Sequence, residues 1–301
     1  LSGAVPVAAL SRRLRVLLAS RRLFGNWLSA GARYYLARSG VLRGGVRVEC
    51  CSREYVLSPE VYSGIVNAYY DGALEGLECR EALYAYFTYG GRKLLFYDSF
   101  ELLYDIVFEV FKGGAYDELD VRSRTVVDVG AGVGDTAILF ALRGARRVVA
   151  LEPLPSLYRR ALVNVRVNGV ADRVVLVNAA MGPSDGEVSV EEEARGYRPL
   201  APASSGLRIR VYSLASLIRE FGVERGAVLK MDCEGCEYGV LLTARPEDLA
   251  VFDQMAIEYH SGYARLKRVL EAVGFETALK PIRSLRVPVE KQGYIVARRK
   301  N

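Results

Sequence analysis

The hydrophobic pattern changes character along the chain. Residues 11–24 set Leu14, Val16, Leu17, Leu18 and Leu23 among arginines, the spacing of a short amphipathic helix. Residues 26–38 also read as helix, and residues 46–56 as a strand after Gly44-Gly45. Residues 59–88, rich in Tyr and Ala, read as helix with a break near Gly72. Gly90-Gly91 marks a turn, and residues 98–112 read as a helix ending at Gly113-Gly114. Beyond that point short apolar runs alternate with helical periods. Strands are expected at 125–129, 147–152 and 173–180, and helices at 135–143 and 156–168, ended by Gly144 and Gly169. Residues 187–211 interrupt the alternation as a loop or hairpin insert. A helix at 214–221 and strands at 227–231, 254–259, 276–280 and 294–298 follow, the last two forming an antiparallel pair around Gln292-Gly293.

Buried runs separated by single helices imply right-handed βαβ units and a parallel sheet. The expected fold is α/β: a doubly wound, Rossmann-like, seven-stranded sheet whose last strand pair is antiparallel. It occupies residues 111–301. Residues 1–110 form a mostly helical or mixed extension, a candidate cap over a substrate.

A hydrophobic content of 51% is ample for a packed core. No apolar run reaches the roughly 18–20 residues of a spanning helix. The apolar start, residues 1–10, precedes its arginines, the reverse of a secretory signal. The expectation is therefore a soluble, cytoplasmic protein. The net charge of +6 is uneven: nine arginines and no acidic residue precede Glu49, leaving the remainder net acidic. A basic arm attracts the phosphates of nucleic acid or anionic lipid, the alternative being a solvated helical face. RNA and a peripheral anionic membrane contact through residues 11–24 are thus secondary partner readings.

Five cysteines, an odd number, argue against a secreted disulfide framework. Cys233-Glu-Gly-Cys236 spells C-x-x-C, but it opens no helix after a first strand and lacks companion zinc ligands. The favoured reading is small residues filling slots in another motif, with redox, metal or disulfide roles as lesser ones.

Gly130-Ala131-Gly132-Val133-Gly134 lies between a strand and a helix, where glycine lets backbone approach a cofactor. Such a turn alone fits dinucleotide folds too. Three details favour S-adenosylmethionine over a dinucleotide or an inactive turn. The spacing is G-x-G-x-G. Asp128 precedes it, ill placed for a pyrophosphate but suited to an ammonium, directly or through water. Glu152 ends the next strand, where a carboxylate can accept from both ribose hydroxyls. Asn178 or the backbone near Ala179 would lie along the adenine edge, unless Asn178 is a plain turn residue. Asp135 and Thr136 either cap the helix or touch the cofactor.

Asp232, Glu234 and Glu237 crowd the end of the fourth strand, where open α/β sheets bind ligands. Such crowding is costly unless a cation, Lys230 or a proton relieves it. The alternative is capping of the next helix. His260, the only histidine, ends the fifth strand, as a general base or as a structural group.

These motifs resemble the FkbM family of methyltransferases. Its D-V-G-A-x-x-G-D-T loop corresponds to Asp128–Thr136 here, with Gly132 where the family commonly has Asn. Glu152-Pro153, the N-A-x-x-G run from Asn178 to Gly182, the K-x-D-x-E-G-x-E run from Lys230 to Glu237, and Glu258-Tyr-His260 follow in order. The resemblance covers residues 113–260; residues 1–110 carry none of its motifs. It implies O-methylation of a small-molecule or glycan hydroxyl, on a sugar, glycolipid or secondary metabolite, with S-adenosylmethionine as cofactor. The implied cofactor contacts are Asp128, Gly130, Gly132, Glu152 and Asn178; the motif also carries Ala131, Gly134, Asp135, Thr136, Pro153, Ala179 and Asp232 to that side. The implied chemistry sits on Asp232, Glu234 and His260, with His260 as base and Asp232 orienting it or the acceptor. A metal on Asp232 and Glu234 is the lesser route, and no metal is expected. An RNA methyltransferase and a non-catalytic membrane-surface or scaffold protein are the competing functions; against the first, no N/D-P-P-Y/F motif occurs.

Overall fold

A computed structural model describes residues 12–190, 207–282 and 288–300. The chain forms two compact units, divided between Gly113 and Gly114.

The N-terminal unit holds helices α1 (Arg12–Ala19), α2 (Trp27–Arg38) and α3 (Pro59–Tyr70). The hairpin β1 (Val46–Cys50) and β2 (Arg53–Leu57) precedes α3. α3 starts where Ser58 accepts from the Val61 N–H and Pro59 supplies a pre-set φ. A meander of β3 (Gly76–Cys79), β4 (Leu83–Tyr89) and β5 (Arg92–Tyr97) follows. The helix expected over 59–88 therefore ends at Tyr70, and the unit is mixed rather than mostly helical. The physical reason is the aromatic content of residues 83–89, which suits a pleated surface. Phe87 there stacks on Phe96 at 5.6 Å. The helix expected over 98–112 is instead a 3-10 turn (Phe100–Leu102) and a π-helical stretch (Asp105–Phe111), which buries Ile106, Val107, Val110 and Phe111. Cys51 and Cys79 are joined by a disulfide, and Cys50 is free and buried.

The C-terminal unit is built on β6 (Thr125–Val129), α4 (Asp135–Leu142), β7 (Arg147–Leu151), α5 (Pro155–Val167) and β8 (Val174–Val177). The strand expected over 173–180 breaks at Asn178. Its second part, β9 (Ala179–Met181), leaves the main sheet and joins a small one with β10 (Gly186–Val190) and β11 (Leu207–Tyr212). The antiparallel β10–β11 pair forms the ends of the expected insert, whose residues 191–206 lie outside the described residues. Then come α6 (Leu214–Phe221), β12 (Ala227–Met231), α7 (Cys236–Leu241), α8 (Pro246–Leu249), β13 (Phe252–Tyr259), α9 (Ala264–Ala272), β14 (Phe275–Lys280) and β15 (Gly293–Arg299).

The main sheet has seven strands in the order β14-β15-β13-β12-β6-β7-β8. β15 runs antiparallel to both neighbours, and the five strands from β13 to β8 are parallel. Every residue of β6 and β12 is buried, as a strand covered on both faces requires. Val127, Leu229 and Ile257 are fully buried, each contributing about 2 kcal/mol by leaving water. The chain winds outward from β6 to β8 and returns to β12 on the other side of β6. That reversal opens a crevice at the carboxyl ends of β6 and β12, the place where such sheets bind ligands. Among the described residues no helix is long and apolar enough to cross a membrane.

Candidate functional site

The glycine loop after β6 forms one side of this crevice. Gly130 has φ +77°, and a Cβ there would sit 1.7 Å from the Asp232 carbonyl oxygen. Only glycine fits, and the loop thereby presses on the turn after β12. At Gly132, φ +52°, an added Cβ would meet nothing nearer than an Asp135 carboxylate oxygen at 3.8 Å, so the backbone is approachable there. The Gly132 N–H donates to Glu152 Oε2 at 2.9 Å, and the Leu154 N–H donates to Glu152 Oε1 at 2.8 Å. Glu152 is completely buried. Burial pushes its pKa up to about 7 against these two N–H bonds.

Asp128 lies beneath the loop, fully buried. Its Oδ1 is 3.1 Å from Lys230 Nζ, and its Oδ2 accepts from the Thr136 hydroxyl at 2.6 Å. Asp128 and Lys230 are direct neighbours in the β6–β12 register. Burial would lower the Lys230 pKa, but Asp128, Asp232 and Asp135 outweigh it and hold it above the usual value. Lys230 also donates to the Gly130 carbonyl at 2.6 Å, tying the pair to the loop. Thr136 thus bonds within the site, and the N-cap of α4 is Gly134, without a side-chain cap. Asp135 faces the loop, its pKa raised to about 6 by burial, then by Asp128, against Lys230. Asn178 Nδ2 donates to the carbonyls of Glu152 and Pro153 at 2.8 and 3.0 Å, which braces the carboxyl end of β7. Ala179 is buried and pairs with Arg210 of β11.

The other side of the crevice is acidic. Asp232 and Glu234 follow β12, with Glu234 at φ +57° and Gly235 at φ +118° turning the chain into α7. The Cys233 N–H donates to Glu237 Oε1 at 2.9 Å, so Glu237 closes this turn from within, fully buried. The cysteines do more than fill slots. Cys233 and Cys236, 5.5 Å apart at Cα, are joined by a disulfide across Glu234-Gly235.

His260 follows β13, beside β12, and meets this turn. Its Nε2 is 3.3 Å from Glu234 Oε2 and 3.4 Å from Glu258 Oε1, and its Nδ1 is 3.8 Å from Glu237 Oε1. Nδ1 and Glu237 Oε2 are buried without a hydrogen-bond partner. Burial would lower the imidazole pKa, but the bond to Glu258 and the charges of Glu234, Glu258 and Glu237 push it up to about 9. Burial also raises Asp232 well above the carboxylate range, with Glu258 and Glu234 adding to it and Lys230 and His260 opposing. Glu258 is held below its ordinary value because His260 outweighs its burial. Gln292 Nε2 donates to Glu258 Oε1 at 3.1 Å. Asp232, Glu234 and His260 can offer ligand atoms within 4.8 Å of one another, so a cation would find three donors here.

The structure thus brings the expected residues to one crevice: glycine loop, Glu152 and Asp135 on one side, Asp232, Glu234 and His260 on the other. Asn178 braces the end of β7, and Ala179 opens β9 in the small sheet. Glu258 and Tyr116 are additions. Glu258 stood in the E-x-H motif without a role, and its contact with the imidazole comes from the geometry of the β13 end. Tyr116 lies with its ring centroid 5.9 Å from Lys230 Nζ, and nothing in its local sequence marks it.

The family model for the methyltransferase FkbM domain matches residues 128–295, more than half of the chain. A ribosomal protein L11 methyltransferase of Aeromonas hydrophila subsp. hydrophila is 37% identical over 93 residues, 30% of this chain and 32% of that protein. That of Actinobacillus pleuropneumoniae serotype 5b is 35% identical over 74 residues, 25% of each chain. The chain spans about a third or less of the length of these curated relatives. Among solved structures, the FkbM methyltransferase of Methylobacillus flagellatus KT is 18% identical with a TM-score of 0.41, covering 66% of this chain and 54% of that one. Magnesium protoporphyrin IX methyltransferase of Synechocystis PCC 6803, solved with bound SAM, is 16% identical with a TM-score of 0.34, covering 60% and 72%. The segment matched by the family model runs from the aspartate beneath the glycine loop to the antiparallel strand beside β13, and the chain belongs to the FkbM methyltransferase family.

Proposed function

We propose that the chain is an S-adenosylmethionine-dependent O-methyltransferase acting on a hydroxyl of a sugar, glycolipid or secondary metabolite. The observation that carries this reading is the imidazole of His260 set among Glu234, Glu237 and Glu258, in the same crevice as the glycine loop. An alcohol needs its proton removed as its oxygen forms a new bond, and an imidazole backed by carboxylates serves that need.

The residues fit the cofactor. The open Gly132 backbone and the buried Glu152 carboxylate beside it suit a ligand that carries a ribose diol. Glu152 would accept from the ribose hydroxyls through the second lone pair of each oxygen. Gly130, Ala131, Gly132 and Gly134 would let it lie close, with Asp135 and Thr136 at the helix start. Pro153 and the backbone near Ala179 would form the adenine side, with Asn178 bracing the end of β7 beside them. Asp128 acts through Lys230 and Thr136 rather than by touching an ammonium. When bound, S-adenosylmethionine supplies an electrophilic methyl group.

His260 takes the hydroxyl proton as the acceptor oxygen is methylated, its Nε2 turning from the carboxylates of Glu234 and Glu258 to the acceptor. Asp232, beside the loop, orients the acceptor, and Glu234 holds the imidazole. A base must be neutral to act, and the neutral fraction of His260 grows as pH rises toward about 9. The free-enzyme kcat/KM is expected to climb about tenfold per pH unit below that value and then level. His260→Gln should lower kcat by roughly 10²–10⁴ while cofactor affinity stays put; the melting temperature at neutral pH should fall, since the imidazolium offsets the charges of Glu234, Glu237 and Glu258. A variant that keeps its rate and its pH profile removes His260 as the base. Loss of rate on adding a chelator would turn the same three side chains into metal ligands.

A further inference from the structure

The N-terminal unit holds a cavity of about 640 Å³ between its three helices. α1 and α2 both pack against α3, which forms the floor with Tyr62, Ser63, Val66 and Asn67. Arg12 and Arg13 of α1 and Tyr34, Tyr35 and Arg38 of α2 form the walls. Tyr34 and Arg38 share one helix face, four residues apart.

The lining carries three arginines and no carboxylate. Asp71, outside the lining, accepts from Arg12 at 2.8 Å, and Asn67 accepts from it at 3.1 Å, so this guanidinium is fixed and its charge is met. Arg38 donates to the Tyr34 hydroxyl at 3.2 Å, which in turn lies 3.2 Å from Ser63 Oγ. Glu60, also outside the lining, acts on Arg38, and with Arg13 the three lining arginines still outnumber the two nearby carboxylates. The aromatic side is continuous: the Tyr34 ring lies 5.2 Å from Tyr35 and 5.3 Å from Tyr62. Tyr62 is 3% exposed, and its hydroxyl, at the floor, faces Ser20 without a hydrogen bond of normal geometry. A buried hydroxyl without a partner is costly, and a ligand oxygen would relieve it.

We propose that this cavity binds a soluble phosphomonoester with a flat or apolar body. The phosphate sits at Arg13 and Arg38, and the body lies on Tyr34, Tyr35 and Tyr62. Guanidinium forks match phosphate oxygens, and the volume falls in the range of small-molecule sites. A lipid surface needs basic groups spread over a face. Here three of the unit's arginines line a hollow walled by Tyr34 and Tyr35 and floored by Tyr62, whose hydroxyl has no bond of normal geometry, which suits an inserted group. The proposal does not depend on methyl transfer by the C-terminal unit.

Calorimetric titration of the full chain with phenyl phosphate tests it, against inorganic phosphate, neutral phenyl glucoside, phosphatidylglycerol vesicles and a short RNA. Phenyl phosphate is expected to bind at one site, about tenfold or more tighter than inorganic phosphate or phenyl glucoside, because charge and ring both contribute. Arg38→Gln and Arg13→Gln should each weaken it about tenfold, and Tyr62→Phe about fivefold. Arg13 is exposed, so its variant reports on binding even if Tyr62→Phe fails to fold. Unchanged affinity in both arginine variants overturns the proposal. So does a chain that takes up vesicles or RNA but not phenyl phosphate, or that binds inorganic phosphate equally well.

Discussion

The two sides of the crevice handle buried charge in opposite ways. On the glycine-loop side two buried carboxylates have fixed partners: Asp128 has Lys230 and Thr136, and Glu152 has two backbone N–H groups. On the acidic side Asp232, Glu234, Glu237 and Glu258 surround one imidazole, and polar atoms of Glu237 and His260 stay unmatched. The first side sets its carboxylates on donors and a cation, with Asp128 Oδ1 held by the charge of Lys230 rather than by a hydrogen bond. The second holds its protons in contested positions, with His260 pushed up and Asp232 pushed up beside it. Shifts of this kind gather where protons are moved in a reaction. Burial raises Glu152 and Asp135 on the loop side as well, so what sets the acidic side apart, and suits the proposed chemistry, is its imidazole among carboxylates.

The comparison is broken most severely by removing Lys230. Asp128 would then be a buried carboxylate without its cation, a loss of about 3–5 kcal/mol. Lys230→Met should show it as a lower denaturant midpoint, together with a looser glycine loop, since Lys230 also binds the Gly130 carbonyl. Pairing it with Asp128→Asn should recover part of the loss, because the unpaired charge disappears. Equal stability of Lys230→Met and the parent would mean that the loop side is not a charge-paired scaffold.

The sheet was legible because fully buried parallel strands leave continuous apolar runs bounded by glycine, as at Thr125–Val129 and Ala227–Met231. Residues 59–88 were not, because Tyr and Ala there fit helix and strand alike until packing decides; Phe87 and Phe96 pair only once β4 and β5 are aligned. The site shows the same split. Loop spacing, Glu152 and the acidic run are local features and could be read. The partner of Asp128 could not, because Lys230 comes beside it only through the adjacency of β6 and β12. The pairing of Cys233 with Cys236 depends likewise on the tight turn through Glu234 and Gly235, which no spacing argument fixes.

Glu152 sharpens the comparison through pH. Its folded pKa of about 7 lies above the ordinary glutamate value because it is buried. The folded state therefore binds its proton more tightly than the unfolded chain. Its contribution to stability is fully present below about pH 4.5 and is lost as pH rises through 7, amounting to about 3 kcal/mol. Glu152→Gln loses one acceptor for the two N–H groups and should be less stable at acid pH. Its unfolding free energy should nevertheless lack this part of the fall between pH 5 and 7.5. Parallel curves for parent and variant would show that Glu152 does not titrate there.

The smallest effect belongs to Asn178, and it separates a brace from a contact. Its amide N–H groups are taken by the carbonyls of Glu152 and Pro153. Asn178→Ala should cost about 1–2 kcal/mol of stability, the ordinary worth of such bonds. Cofactor affinity, measured by calorimetry with S-adenosylhomocysteine, should fall by less than about threefold, since a bond to the adenine base would be worth more. A tenfold loss of affinity with little loss of stability would move Asn178 from the scaffold to the ligand. It would also show that the loop side, for all its matched charges, keeps one polar group in reserve for binding.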